Sequence, residues 1–236
     1  MADPVTLSPE FGTSAPVDEI TDKRLLRGAR TRQLVLGRAV DIASLESLEG
    51  LSFGRLALAT GLSKAGIQIL FRTKESLQLA TVDHARSMFN DFVVQPARKK
   101  PRGVERLREL IERWIEYAER PLFAGGCFFA PNLAEFDSRP GPVRDCLVRA
   151  QRGWTNLLSA ELDCAVEQAD IAYLDSDLAA FQIDAVIRSA NTAMRLGDDA
   201  AAHKIRRVLE SILTPSAEAS ARGEKNRMQR NRRRQA

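Results

Sequence analysis

At 236 residues, 44% apolar and 28% charged, the chain can bury a core as one large domain or two unequal ones. Aromatic residues make up only 6%, which argues against a turn-rich β-sandwich, and no window approaches the ~18 uninterrupted apolar residues of a membrane span. The net charge of +4 is unevenly spread: residues 1–20 hold four acids and no base, residues 21–75 ten Lys/Arg against five Asp/Glu, and residues 217–236 seven against two. Basic ends on a near-neutral body point to a polyanion partner, although a solvated charged face gives the same arithmetic. Cys127, Cys146 and Cys164 lack C-x-x-C spacing, so neither a disulfide framework nor a zinc site is expected, and no secretory leader is visible. A reducing, cytoplasmic setting is the expectation.

Residues 1–20 are rich in Pro, Ser, Thr and Gly without periodicity and read as a disordered tail, with SPEFGTS resembling a cloning remnant. The periodicity then predicts a first helix from about Thr31 to Ser47, with Leu34, Ala39, Ile42, Ala43 and Leu45 near one face. Ser52 is placed to cap a short helix through Thr60, and Ser63 a second reaching Leu70. Thr73 starts a long helix to about Pro96, and another spans roughly Val104 to Glu119. A segment from Cys127 to Phe136 contains Pro131, which would kink it. Three more helices are expected: from Pro140–Pro142 to about Ala169, from Asp175 to Leu196 with Gly197 as its stop, and from Asp198 to Leu213. Nine helices and no sheet make the fold class all-α, and residues 215–236 read as a disordered basic tail.

Residues 53–70, FGRLALATGLSKAGIQIL, have the spacing of a helix-turn-helix. Ala57 is the small residue facing the partner helix, Gly61 makes the turn, and Ile67 and Leu70 anchor the second helix, with Leu56, Leu62 and Phe71 completing a small core. Lys64, Ala65, Gly66, Gln68 and Ile69 would then face outward, where short and polar groups can enter a major groove and read base edges. A helical corner with no DNA role has the same spacing; the local positive charge favours the DNA reader.

LALATGLSKAGIQILFRTKESLQLA resembles the DNA-binding signature of TetR-family transcriptional regulators: Leu56-Ala57 opens it, Gly61-Leu62-Ser63 makes the turn, and Phe71, Lys74-Glu75 and Leu77 follow. The resemblance implies a helix-turn-helix domain over residues 21–78 and a larger helical domain for ligand and dimer contacts over residues 79–214. It places Lys64, Ala65, Gly66, Gln68 and Ile69 in the groove, and Ser52, Arg55, Thr73 and Lys74 on phosphates at helix N-termini. Lys23, Arg24, Arg27 and Arg30 could follow the minor groove as an arm, and Arg230 with Arg232 to Arg234 could add unspecific affinity. The sequence departs from the family in carrying Gln68 where a Tyr is usual and Leu70 where a His is common, which leaves the base target open.

In the C-terminal body, Trp114, Tyr117, Phe128, Phe129, Phe136 and Trp154 fall on the helices that frame a pocket in relatives. With no basic cluster among them, any small-molecule effector is expected to be apolar or weakly polar. The helix over 175–196 is apolar on most of its circumference, as a helix buried on two sides would be. The resemblance implies that Phe181, Ile183, Val186, Ile187, Ala190 and Met194, with Ile205, Val208, Leu209 and Ile212 of the last helix, pair with a second copy. Two copies would read an inverted repeat in double-stranded DNA. Cys127 reads as a buried, inert thiol rather than a sensor. Neither His84 nor His203 has Glu three residues before it, and no G-x-S-x-G, P-loop or H-E-x-x-H is present, so neither an enzyme nor a cofactor is expected. These features predict a homodimeric repressor released from its operator by the effector. The alternative is a helical interaction module whose helix-turn-helix is structural only.

Overall fold

The computed structural model describes residues 17–215 and 217, with side chains from Leu26 on. Expectations for residues 1–16, for the side chains of Lys23 and Arg24, and for Arg230 and Arg232 to Arg234 lie outside the described residues. Among the described residues nine helices of eight residues or more follow one another: α1 (Val17–Glu46), α2 (Phe53–Thr60), α3 (Lys64–Phe71), α4 (Lys74–Phe89), α5 (Val104–Glu119), α6 (Phe129–Phe136), α7 (Pro142–Glu167), α8 (Ser176–Arg195) and α9 (Ala201–Ile212). Among the described residues the sole β feature is an isolated bridge between Ile171 and Pro215. No described helix is long and apolar enough to cross a membrane.

Most ends coincide with the residues whose chemistry calls for them. Ser52, Ser63, Thr73 and Asp175 each sit in extended backbone and accept a hydrogen bond from an N–H two or three residues into the helix, satisfying one of its orphan donors. Gly61 and Gly197 close their helices at φ 70° and 87°, a region that strains any residue with a Cβ. The long helix begun at Lys74 passes through a π-turn at Asn90–Val94 and ends with Gln95–Ala97.

Two expectations are corrected. α1 begins at Val17 rather than near Thr31. Its first turns carry Asp18, Glu19 and Asp22, which suit the positive end of the helix dipole. Arg27 and Arg30 are therefore exposed on a helix instead of lying on an extended arm. Pro131 kinks nothing: it occupies the first turn of α6, where its missing N–H has no intrahelical acceptor to lose.

The helices pack as two connected layers. α2 lies on α1 and on α3, and α3 also meets α4; α1 packs against α4 and α6; α4, α5, α6 and α8 all contact α7; and α9 packs on α8. One core runs through both parts, from Ile67 and Phe71 through Leu48 and Leu77 to Trp114, Phe128 and Ile187. Edge-to-face pairs Phe89–Tyr117 (5.4 Å), Tyr117–Phe123 (5.9 Å) and Phe123–Phe128 (6.2 Å) stiffen the centre, each adding ~0.5–1.5 kcal/mol beyond burial.

The junction between α1 and the rest is polar and fully satisfied. Asn132 of α6 is completely buried, accepts a hydrogen bond from Leu48 N–H at 2.6 Å, and donates to the carbonyls of Ala43 (3.0 Å) and Phe128 (2.6 Å). Gln78 of α4 donates to the Leu48 carbonyl at 3.0 Å. The 3-10 turn Leu48–Gly50 is thereby held from both sides.

Candidate nucleic-acid interface and cavity

α2, the Gly61 turn and α3 form the geometry expected of a helix-turn-helix. Leu56, Ile67 and Phe71 are buried, and Ala57, Leu62 and Leu70 pack half-buried against them. A Cβ on Gly66 would lie 3.0 Å from the Ser63 hydroxyl, which already accepts the Gly66 N–H at 3.0 Å, so the glycine makes room for the cap. Of the expected groove residues, Lys64, Ala65, Gln68 and Ile69 are exposed together on the outer side of α3, while Gly66 is half-buried. Ile69 is 78% exposed.

The far end of α3 is fixed tightly. Arg72 has φ 63° and ψ −60°; its N–H bonds to Gln68 O, and the next N–H, of Thr73, bonds to Phe71 O at 2.7 Å, a strained γ-turn. Arg32 of α1 donates to the Leu70 carbonyl at 3.0 Å and lies over the Phe71 ring, 4.5 Å from its centre. The sequence reading gave Arg32 no role. Its place is to hold the recognition-type helix against α1.

The expected phosphate contacts are occupied in the free chain. Arg55 makes a two-pronged ion pair with Glu46, and Lys74 binds Glu49 through both its carboxylate (2.9 Å) and its carbonyl (2.8 Å). Those hydrogen bonds hold the carboxyls of Glu46 and Glu49 below the usual carboxylate range. Ser52 and Thr73 are exposed and cap their own helices. Lys64 and Arg72 are exposed cations with no ion pair among the described residues.

A cavity of about 1010 Å³ lies between α4, α5, α6, α7 and α8. That is the upper end of the ~300–1,000 Å³ range of small-molecule sites. Trp114, Phe129 and Trp154 line it, whereas Tyr117, Phe128 and Phe136 are buried in the core and do not. Arg86, Arg98, Arg149 and Arg188 also line it, together with Asp83 and Asp184. These charges were not legible in the sequence because they come from segments far apart in the chain. Cys127 reaches the cavity, but burial pushes its thiol pKa up and keeps it protonated, with Tyr117 as hydrogen-bond partner. Among the described residues no group of three or more His, Cys, Asp or Glu side chains is placed to hold a metal.

The residues expected at a dimer face divide. Ile183, Ile187, Ala190, Ile205 and Leu209 are buried within the chain itself and have no surface left for a partner, because the turn of α8 against α7 and α9 consumes that stripe. Val186, Met194, Val208 and Ile212 are half-buried. The large apolar residues left exposed here are Leu178 (54%) and Phe181 (68%) on α8 and Leu196 (83%) just past its end.

Residues 103–209 match the family described as tetracyclin repressor-like, C-terminal domain. A TetR transcriptional regulator from Chloroflexus aurantiacus J-10-FL superposes with a TM-score of 0.71 at 23% identity, covering 81% of this chain and 98% of that one. A TetR-family regulator from Agrobacterium tumefaciens gives 0.70 at 20% identity over 78% and 98%. AibR, in complex with isovaleryl coenzyme A and operator DNA, gives 0.65 at 20% identity over 78% and 98%. No curated protein matches the sequence. Residues 103–209 thus match a tetracyclin repressor-like C-terminal domain, and the chain as a whole has the fold of these regulators.

Proposed function

We propose that the chain is a homodimeric repressor that binds an inverted-repeat operator through α3 and is released when a small molecule enters the cavity. The observation that carries this reading is the exposed row Lys64, Ala65, Gln68 and Ile69 on a helix clamped at both ends. Gln68 can make two hydrogen bonds to an adenine edge, and Ile69 can cover a thymine methyl. Residues 21–78 form the DNA-binding part, and residues 79–214 the effector and dimer part.

Phosphates are held by the free N–H groups opening α2 and α4, next to Ser52 and Thr73. Arg55 and Lys74 join them once phosphate replaces Glu46 and Glu49 as their partner. A second copy covers Leu178 and Phe181 of α8 and the adjoining Leu196, taking their apolar surface out of water. Release then follows from linkage: an effector with higher affinity for a conformation whose recognition helices are wrongly spaced weakens operator binding by that difference in affinity. One structural neighbour, AibR, was solved with both an acyl coenzyme A and operator DNA, the same pairing of partners proposed here.

The test is a gel-shift titration on DNA upstream of the protein's own gene, at two salt concentrations and with excess unrelated competitor. A competitor-resistant shift that protects an inverted repeat and weakens with salt is expected. No shift at low salt would move the reading to a protein-interaction module.

A further inference from the structure

We propose that the cavity takes an amphiphile with a single anionic head, a carboxylate or a phosphate ester, on an apolar tail. This rests on the reading of the cavity as the effector site and narrows its ligand class. Part of the wall is apolar: Trp114 and Ile187 are almost fully buried, and Phe89 packs edge-on to Trp154 at 5.4 Å and to Phe129 at 6.2 Å, while Asp184 and Asn191 are the buried polar residues of the lining. A charged head placed against this aromatic part would lose its hydration unpaired.

The charge lies elsewhere on the wall. Arg86 is paired with Asp83 at 3.3 Å, and Arg188 with Asp184 at 2.8 Å. Asp184 is further held by Gln151 at 2.9 Å. Arg98 and Arg149 line the same cavity, are exposed, and have no carboxylate partner among the described residues; the Arg149 side chain reaches the Cys146 thiol. The lining thus carries four arginines, two aspartates and no lysine, glutamate or histidine, a formal excess of two positive charges.

Guanidinium groups stay protonated at any working pH, and their forked donors match the two oxygens of a carboxylate or phosphate. A cationic ligand would find both aspartates already engaged and two unneutralised arginines opposing it. A neutral amphiphile would gain the apolar wall alone. An anionic one gains the wall and charge-assisted hydrogen bonds, which are roughly twice as strong as neutral ones.

The two tryptophans of the chain, Trp114 and Trp154, both line this cavity, so intrinsic fluorescence reports its occupancy directly. The full-length protein is titrated with decanoate, decyl phosphate and decanol, each below its micelle concentration. The same titrations are repeated on the Arg98→Gln/Arg149→Gln variant, whose exposed substitutions are checked for unchanged helicity. At least one anion is expected to bind ~10-fold or more tightly than decanol, as the added charge-assisted bonds imply, with the variant reduced to the decanol level. Whichever anion binds more tightly identifies the head as carboxylate or phosphate. Decanol binding as tightly as both anions, or a variant that keeps the full preference, overturns the head-group assignment and leaves the cavity a ligand site. No saturable fluorescence change with any of the three overturns both the assignment and the effector reading on which it rests.

Discussion

Gly125, in the loop between α5 and α6, offers the sharpest steric test of how the DNA-binding part is seated. A Cβ built there would lie 2.1 Å from Ser44 O, 2.2 Å from Ser44 C and 2.6 Å from Leu45 N, all backbone atoms of α1. Ordinary non-bonded contact begins near ~3.5 Å, so Gly125→Ala forces the loop off α1 by more than ~1 Å. That movement breaks Gly125 N–H to Ser44 Oγ (2.8 Å) and Ala124 N–H to Asp41 Oδ1 (3.2 Å). Two hydrogen bonds at ~1 kcal/mol each and ~1 kcal/mol or more of overpacking give about 3 kcal/mol. In a protein of this size that lowers Tm by roughly 6–12 °C. Gly37, within α1, is the control: nothing lies within 4 Å of its added Cβ. Gly37→Ala should therefore raise stability by ~0.5–1 kcal/mol through helix propensity alone. Thermal melts followed by circular dichroism compare the two. A Gly125→Ala melt within about 2 °C of wild type would refute the argument that this glycine is set by a backbone approach.

Further outcomes follow from the same contacts. Asn132→Ala removes three buried hydrogen bonds and leaves Leu48 N–H unpaired, lowering stability by about 3 kcal/mol in a denaturant titration. Glu49→Gln frees Lys74 for phosphate and is expected to tighten DNA binding and steepen the salt slope by about one ion, read by gel shift at several salt concentrations. Because Glu46 and Glu49 are held below the ordinary carboxylate range, their contribution to stability is present above the unfolded pKa of about 4.3 and lost as pH falls through the lowered folded values. The melting temperature of the Glu46→Gln/Glu49→Gln variant should therefore fall less between pH 6 and pH 3 than that of wild type. Lys74→Ala should weaken binding to all sequences alike, whereas Gln68→Ala should relax preference at one base position by ~1–3 kcal/mol in a competition assay.

Much of the fold was legible because its signals are local. Ser52, Ser63 and Thr73 mark helix starts by what their hydroxyls can accept, and Gly61 and Gly197 mark ends by backbone conformations other residues resist. The outer row of α3 followed from the same spacing that placed Ile67 and Phe71 inside. What sequence could not show was long-range. Arg86, Arg98, Arg149 and Arg188 become one lining only after α4, the turn that follows it, α7 and α8 pack together. Tyr117, Phe128 and Phe136 share the composition of a pocket wall yet lie behind it. Ile183 and Ile187 have the apolarity of a dimer face, and α8's packing on its neighbours uses them internally. Asn132 reads as an ordinary polar residue until α6 brings it under α1.

The most direct measurement of the central claim is selection of binding sites from a pool of random duplex DNA, run in parallel with wild type and Gln68→Ala. Wild type should enrich an inverted repeat whose half-sites lie about one helical turn, or a multiple of it, apart, and Gln68→Ala should enrich the same repeat with one position per half-site relaxed. Enrichment of no sequence by wild type, or of an identical site with identical stringency by both proteins, would contradict base reading by α3.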